Sequence, residues 1–276
     1  MKKYELTTNT KMLFGRKLFQ IKALVSFGDV TAGDLGGYIE KEENLSHDGN
    51  AWVSGDARVS GNAWVYGNAW VSGDARVSGD ALVYGNAWVS GNARVSGNAW
   101  VSGDARVSGD ALVYGNAWVS GNARVSGNAW VSGDARVSGD ALVYGNARVS
   151  GDARVYGDAR VSGDALVSGN ARVSGDARVS GNALVSGDAR VYGNARVYGN
   201  ADYICFKGFG SENRNTTMFR TKNGDVYVRC GCFTGSLKKF TEKVKETHGN
   251  SKYAKEYLAC VEVAKIHFEI GEENDK

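Results

Sequence analysis

The 276-residue chain predicts a mainly β protein: a single-stranded parallel β-helix, or solenoid, with an N-terminal cap and a C-terminal α+β module. Three observations predict it. Glycine stands at 49, 55, 61 and every sixth position to 199 without a slip. The 25 complete hexads between all read G-[DN]-A-[RWL]-V-[SY]. Outside 49–200 that period vanishes and lysine, absent from the hexads, returns.

Residues 1–48 read as an N-terminal β cap. "KLFQIKALVSF" alternates enough for a strand, and "GDVTAGDLGGYIEKEENLSHDGNAWV" runs directly into the first hexad. Asp34, Glu40, Glu42 and Glu43 admit two readings, a site or the polar covering that a solenoid end requires. The covering is favoured.

Residues 49–200 form the solenoid. A period of six suits neither the 3.6-residue helical face nor collagen, which needs glycine every third residue. Within each hexad, A-x-V-x carries the period of two expected of a short strand. The G-[DN] pair then breaks it, because glycine has no Cβ and Asn and Asp tolerate left-handed backbone angles. Short straight edges joined by sharp corners make a coil.

These residues resemble the hexapeptide-repeat left-handed β-helix proteins, in which an inward aliphatic residue is followed four positions later by a small one. Val53 with Ala57 and Val59 with Ala63 match, as does every later pair. The resemblance implies three hexads per triangular coil, about eight coils and a left-handed path. On that reading residues 18 apart stack at ~4.8 Å. Trp52, Trp70 and Trp88 then make one outward ladder, Arg58, Arg76 and Arg94 a second, and Trp100 with Trp118 lie on another face.

Residues 86–115 recur letter for letter at 116–145. Each 30-residue copy overshoots one coil by 12, so its pattern rotates by two faces. A site built for one ligand would keep its face. The ladders therefore read as surface filling or a self-association face, with a docking surface as the alternative.

Residues 201–276 read as a ββαα domain. "TTMFRTKNGDVYVRC" signals a hairpin turning at Asn223-Gly224. "GSLKKFTEKVKETHG" is a helix that Ser236 caps and Gly249 stops, and "SKYAKEYLACVEVAKIHFEI" is a longer one. The polar, irregular "GSENRNTTMFR" offers Arg214, Asn215, Thr216, Thr217 and Arg220 to an anion or a partner. Cys230, Cys232 and His248, with Cys205, suggest zinc or a thiol nucleophile, but C-x-C is weaker than paired C-x-x-C, and buried structural cysteines are the favoured reading. No metal or cofactor is expected.

Charge is balanced throughout. Residues 49–200 carry 13 Arg against 12 Asp, and the whole chain sums to +3. This interleaving speaks against nucleic acid as a partner and against an anionic membrane. No run approaches the 18 apolar residues of a membrane span, and "MKKYELTTNTKMLF" lacks the apolar core of a secretion signal. The expected location is the cytoplasm of a bacterial cell, with reduced thiols.

Hexapeptide acyltransferases use a histidine base and the related carbonic anhydrases three zinc-bound histidines. His47, His248 and His267 all lie outside the hexads. "AGDLGGY" followed by "NLS" resembles the entry piece of certain bacterial and phage hexapeptide proteins, and "RCGCFTGSLKKF" with "ETHG" resembles a tail domain of phage and prophage β-helix proteins. The expectation is a non-catalytic phage- or prophage-type scaffold that acts by binding or assembly, through a protein partner or as a dimer or trimer. The alternatives are a host-defence interference protein binding an immune protein or nucleotide signal, and a degenerate acyltransferase-like enzyme.

Overall fold

A computed structural model describes residues 1–270. The hexads fold as twenty-five two-residue strands, β4 (Trp52–Val53) to β28 (Arg196–Val197), with one strand per hexad. Successive strands rotate through three parallel sheets, so each strand pairs with the one 18 residues on, as Val89 pairs with Val107 and Trp88 with Arg106. The three sheets enclose one column. Every hexad alanine and valine lining it is fully buried.

Alternation explains the pattern. In A-x-V-x the Ala and Val side chains share one face and turn inward, while the residues on either side of Val turn out. Each fully buried Val contributes about 1.5–3 kcal/mol, offset largely by chain entropy. Backbone groups close the account between coils: Asn86 N donates to Gly103 O, Trp88 N to Ala105 O and Ser90 N to Val107 O, all at 2.8–2.9 Å. The corner glycines have no substitute. Gly103 sits at φ +67, and a Cβ there would lie 3.0 Å from Gly121 N one coil on.

The corners also carry a side-chain ladder that the sequence reading did not anticipate. Asn98 Nδ2 donates to Asn116 Oδ1 at 3.0 Å, and Asn116 Nδ2 to Asp134 Oδ1 at 2.9 Å. Asn92 bonds Asp110 and Asn122 bonds Asp140 in the same direction. The amide provides the donor and points it toward the C-terminal end of the rod.

The rod holds about nine coils, not eight, because part of the N-terminal cap winds the first. Strand β3 (Leu35–Ile39) pairs in parallel with the strand Arg58–Val59, and Leu45 bridges Val65. Neither carries the hexad motif. The buried Asn44 substitutes for missing backbone, donating its amide to Gly61 O at 3.0 Å and Ala63 O at 2.8 Å. At ~4.8 Å per layer the rod is roughly 40 Å long.

Beyond that coil, β1 (Tyr4–Leu13) and β2 (Arg16–Ala23) form an antiparallel hairpin that continues the sheet past β3. Only the second strand was legible in "KLFQIKALVSF"; the turn is Phe14-Gly15, both at positive φ, with none of the usual turn letters at the first place. Tyr4 and Lys3 plug the open end. Tyr4 Oη donates to Leu45 O at 2.7 Å, and Lys3 Nζ donates to Ala51 O at 2.8 Å while lying over the Phe27 ring.

The C-terminal module has four antiparallel strands, where the sequence suggested two. They are β29 (Tyr203–Phe209), β30 (Arg214–Arg220), β31 (Val226–Cys230) and β32 (Phe233–Ser236), followed by α1 (Leu237–His248) and α2 (Lys252–His267). Ser236 caps α1 through Lys239 N, and Gly249 ends it at φ 54. The sheet has two buried faces. Phe219, Tyr203 and Cys205 pack on the last coil, whereas Met218, Ile204 and Phe206 pack under the helices with Phe240, Tyr257 and Val261.

Candidate functional site

The stretch "GSENRNTTMFR" is not an irregular loop. All but its first residues form β30, between β29 and β31. Its polar side chains are used within the joint between rod and module. Thr217 Oγ1 accepts from Arg190 N at 3.1 Å, stitching the module to the last coil, and donates to Cys205 Sγ. Asn215 bonds Asp188, which also pairs with Lys207 at 2.9 Å. The Lys207 bond, then that from Asn170, holds the Asp188 carboxyl below its ordinary range.

Arg220 donates Nη2 to Phe268 O at 2.6 Å and faces Asp202 at 3.7 Å, so it clasps the end of α2 to the start of the module. Thr216 is fully buried with no partner for its hydroxyl among the described residues. Arg214 is exposed and lies against Gly231, where any Cβ would clash with its guanidinium. Of the five polar residues, Arg214 alone presents an exposed charge at this edge.

The cysteines separate. Cys205 belongs to the joint, Cys230 and Cys260 are buried under the helices, and Cys232 is exposed. Cys230 Sγ donates to Tyr257 Oη at 3.7 Å, and Tyr257 Oη donates to Phe209 O at 3.2 Å. Burial, then the neighbouring Cys230, pushes the Cys260 thiol up to about 11. Burial also raises Cys205. Thiols so placed stay protonated and are poor nucleophiles. His248, half-buried, faces the Tyr253 and Tyr257 rings. Among the described residues no three of His, Cys, Asp and Glu converge as metal ligands.

The ladders lie in the expected register: Trp52, Trp70 and Trp88 in one sheet, Arg58, Arg76 and Arg94 in another. Trp52 is nevertheless no surface residue. It is 2% exposed, wedged edge-on against Tyr4 and Phe27 beneath the cap. The reason is position: the outer face of the first coil is covered by the N-terminal segment. Trp70 donates Nε1 to Ser54 Oγ at 3.0 Å, and Trp88 stands 48% exposed. Trp100 and Trp118 stack at 4.7 Å with planes 6° apart.

Where a ladder changes from Trp to Arg, the guanidinium lies over the indole. Arg106 covers Trp88, Arg136 covers Trp118 and Arg148 covers Trp130, with centroid distances of 5.6, 4.9 and 4.7 Å. Such contacts stabilise by about 0.5–1 kcal/mol at exposed sites. Their signal was present in the 18-residue spacing of unlike letters.

With register, corners and column established, the hexads can be matched to a known repeat. Segments described as the YdcK β-solenoid repeat cover residues 51–201, broken at 74 and 104. The chain belongs to the YdcK β-solenoid repeat family. The matched segments of the YdcK repeat coincide with the coils of two-residue strands; the cap and the α+β module lie outside them. No curated protein matches the chain.

In this YdcK-repeat chain, the Arg76-Arg94 part of the Arg58-Arg76-Arg94 row faces the N-terminal hairpin. The tip of the β1–β2 hairpin stands over it and encloses a cavity of about 380 Å³, lined by Leu13, Phe14, Arg16, Arg76, Arg94 and the Ser60-Ser78-Ser96 row. Among the described residues no carboxylate lines it, although Glu40 bonds Arg16 and Gly61 at its wall. Burial, then Arg94 and Arg58, lowers Arg76 below the usual arginine value, and Asp74 offsets this least. Arg58 Nε is buried without a partner among the described residues.

Proposed function

We propose that the protein is a non-catalytic scaffold that acts by binding or assembly, its rod setting a fixed distance between the N-terminal cap and the C-terminal module. The observation that carries this reading is the division of labour in the hexad. Every inward side chain is a fully buried Ala or Val, so the residues free to vary all lie outside, where they meet partners rather than reactants. Both rod ends are closed by the chain's own segments, which disfavours open-ended polymer. The raised thiols disfavour Cys205 and Cys260 as nucleophiles, which makes the exposed Cys232 the thiol whose substitution is decisive.

The partner we favour is a second copy, side against side, because Trp88, Trp118 and Trp130, one on each of the three flanks, keep 37–48% of their surface exposed. The cap and tail motifs support a phage or prophage origin and action in the bacterial cytoplasm. No described helix is long and apolar enough to cross a membrane.

Sedimentation equilibrium of the full chain tests the reading. A dimer or trimer that dissociates on Trp88→Ser with Trp118→Ser is expected. A monomer at about 100 μM, or turnover of any substrate lost on Cys232→Ser or His248→Ala, would overturn it.

A further inference from the structure

We propose that the cavity between the β1–β2 hairpin tip and the arginine row of the first coils is a binding site for a compact organic phosphate bearing two or more phosphoryl groups. The site is separate from the scaffold reading, since a rod can hold it whether or not rods associate.

Three features of the cavity and its margin argue for an anion. Arg76 and Arg94 line it and stack in register with Arg58, which lies in the adjacent coil outside the lining, the layers about 4.8 Å apart. Among the described residues none of the three guanidinium groups makes an ion pair or a side-chain hydrogen bond; the Arg58 Nε is buried and unpartnered. Like charges in adjacent layers repel, and three ladder arginines elsewhere, Arg106, Arg136 and Arg148, are relieved by lying over indoles. Those of this row are not. Arg16, the fourth cation, reaches the wall from β2 and pairs with Glu40 at 2.8 Å, whose carboxylate is also occupied by Gly61 N.

The donor chemistry suits phosphoryl oxygens. Each guanidinium offers a planar fork that pairs two oxygens, and the Ser60, Ser78 and Ser96 hydroxyls line the same floor. Two forks one coil apart address two neighbouring phosphoryl groups better than one.

Size and ends exclude a polymer. The basic row stops at Arg94, whose next neighbour in register is Leu112, and at its other end Arg58 meets Tyr38. Three layers span roughly 10 Å, and the hairpin closes over them. A volume of about 380 Å³ lies in the range of small-molecule sites.

The organic part is assigned to the hairpin. Phe14 holds a positive φ of 46, uncommon for a bulky residue. It is 88% exposed yet lines the cavity beside Leu13, as an aromatic wall that stacks on no other ring among the described residues.

Isothermal titration of the full chain with ADP, pyrophosphate, orthophosphate and a single-stranded DNA 20-mer tests the assignment. ADP and pyrophosphate are expected to bind, with orthophosphate weaker by about tenfold or more. Arg94→Gln should weaken both by at least about tenfold, and Phe14→Ala should weaken ADP while sparing pyrophosphate. Arg148→Gln, on the same face but beyond the row, should leave both unchanged. Arg76→Gln reports on folding: without ligand its melting temperature should equal or exceed the parent's, because one of three stacked charges is gone. No binding of ADP or pyrophosphate up to about 10 mM, binding unchanged in Arg94→Gln, or binding of the DNA alone would each overturn the proposal.

Discussion

Lys3 shows how one residue at the end of a solenoid is held by conflicting terms. Its ammonium satisfies the carbonyls of Ala51 and Gly49 that no further coil can reach, yet burial lowers its pKa to about 8 against an ordinary 10.5, with Asp48 opposing. Below pH 8 both folded and unfolded chains carry the charge, and the folded chain bears the cost of burying it. Between 8 and 10.5 the folded chain sheds the proton first, so stability rises with pH. Tyr4 beside it is raised by burial, so above pH 10 the unfolded chain ionises first and stability falls again. Urea midpoints should therefore climb from pH 7 to about 9.5, by at most about 3 kcal/mol for the full shift. Lys3→Met should flatten that climb; an equal climb in the variant would remove Lys3 as its source.

At the scale of elements, the strand β30 decides how rod and module become one body. Its alternate side chains belong to different cores: Phe219 and Thr217 to the last coil, Met218 and Thr216 to the helices. Phe219→Ala should cost about 3–5 kcal/mol and separate the thermal unfolding of the module from that of the rod. Met218→Ala should destabilise the module while leaving exchange in the last coil slow. Identical amide-exchange profiles for the two variants would show that the strand does not divide the cores. The same strand explains a misreading: "RNTTMFR" alternates, but both faces are buried and two threonines hide the apolar period, so polarity looked like exposure. "TTMFR" was nonetheless legible as one arm of a hairpin around Asn223-Gly224.

For the whole molecule, the coil is the unit that can be added or removed. Removing 36 residues, 90–125, deletes two full coils and returns every hexad to its original face. The rod should shorten by roughly 10 Å with the cap and module unchanged in relative orientation. Deleting 86–115 instead removes one and two-thirds coils, so the chain should fold as well but present its module rotated by two faces. Distances between labels at Cys232 and a cysteine introduced at Met12, after Cys205 is replaced, would report both outcomes. Loss of folding in the 30-residue deletion would show that the faces are not interchangeable.

The sequence alone determined the solenoid, its span, the inward Ala and Val and the 18-residue register, because a repeated local rule of strand, corner and stacking leaves one consistent geometry for every hexad. Ser236 and Gly249 were legible for the same reason, as caps act within one helical turn. Only the tertiary structure decided that Leu35–Ile39 and Leu45 wind a ninth coil, that Trp52 lies buried, that Arg214 to Arg220 form a joint and that the hairpin tip covers the arginine row. Those outcomes depend on which segment meets the two open ends of the column. Non-repeating residues meet there once, across up to 48 positions of chain, and no local period records the meeting.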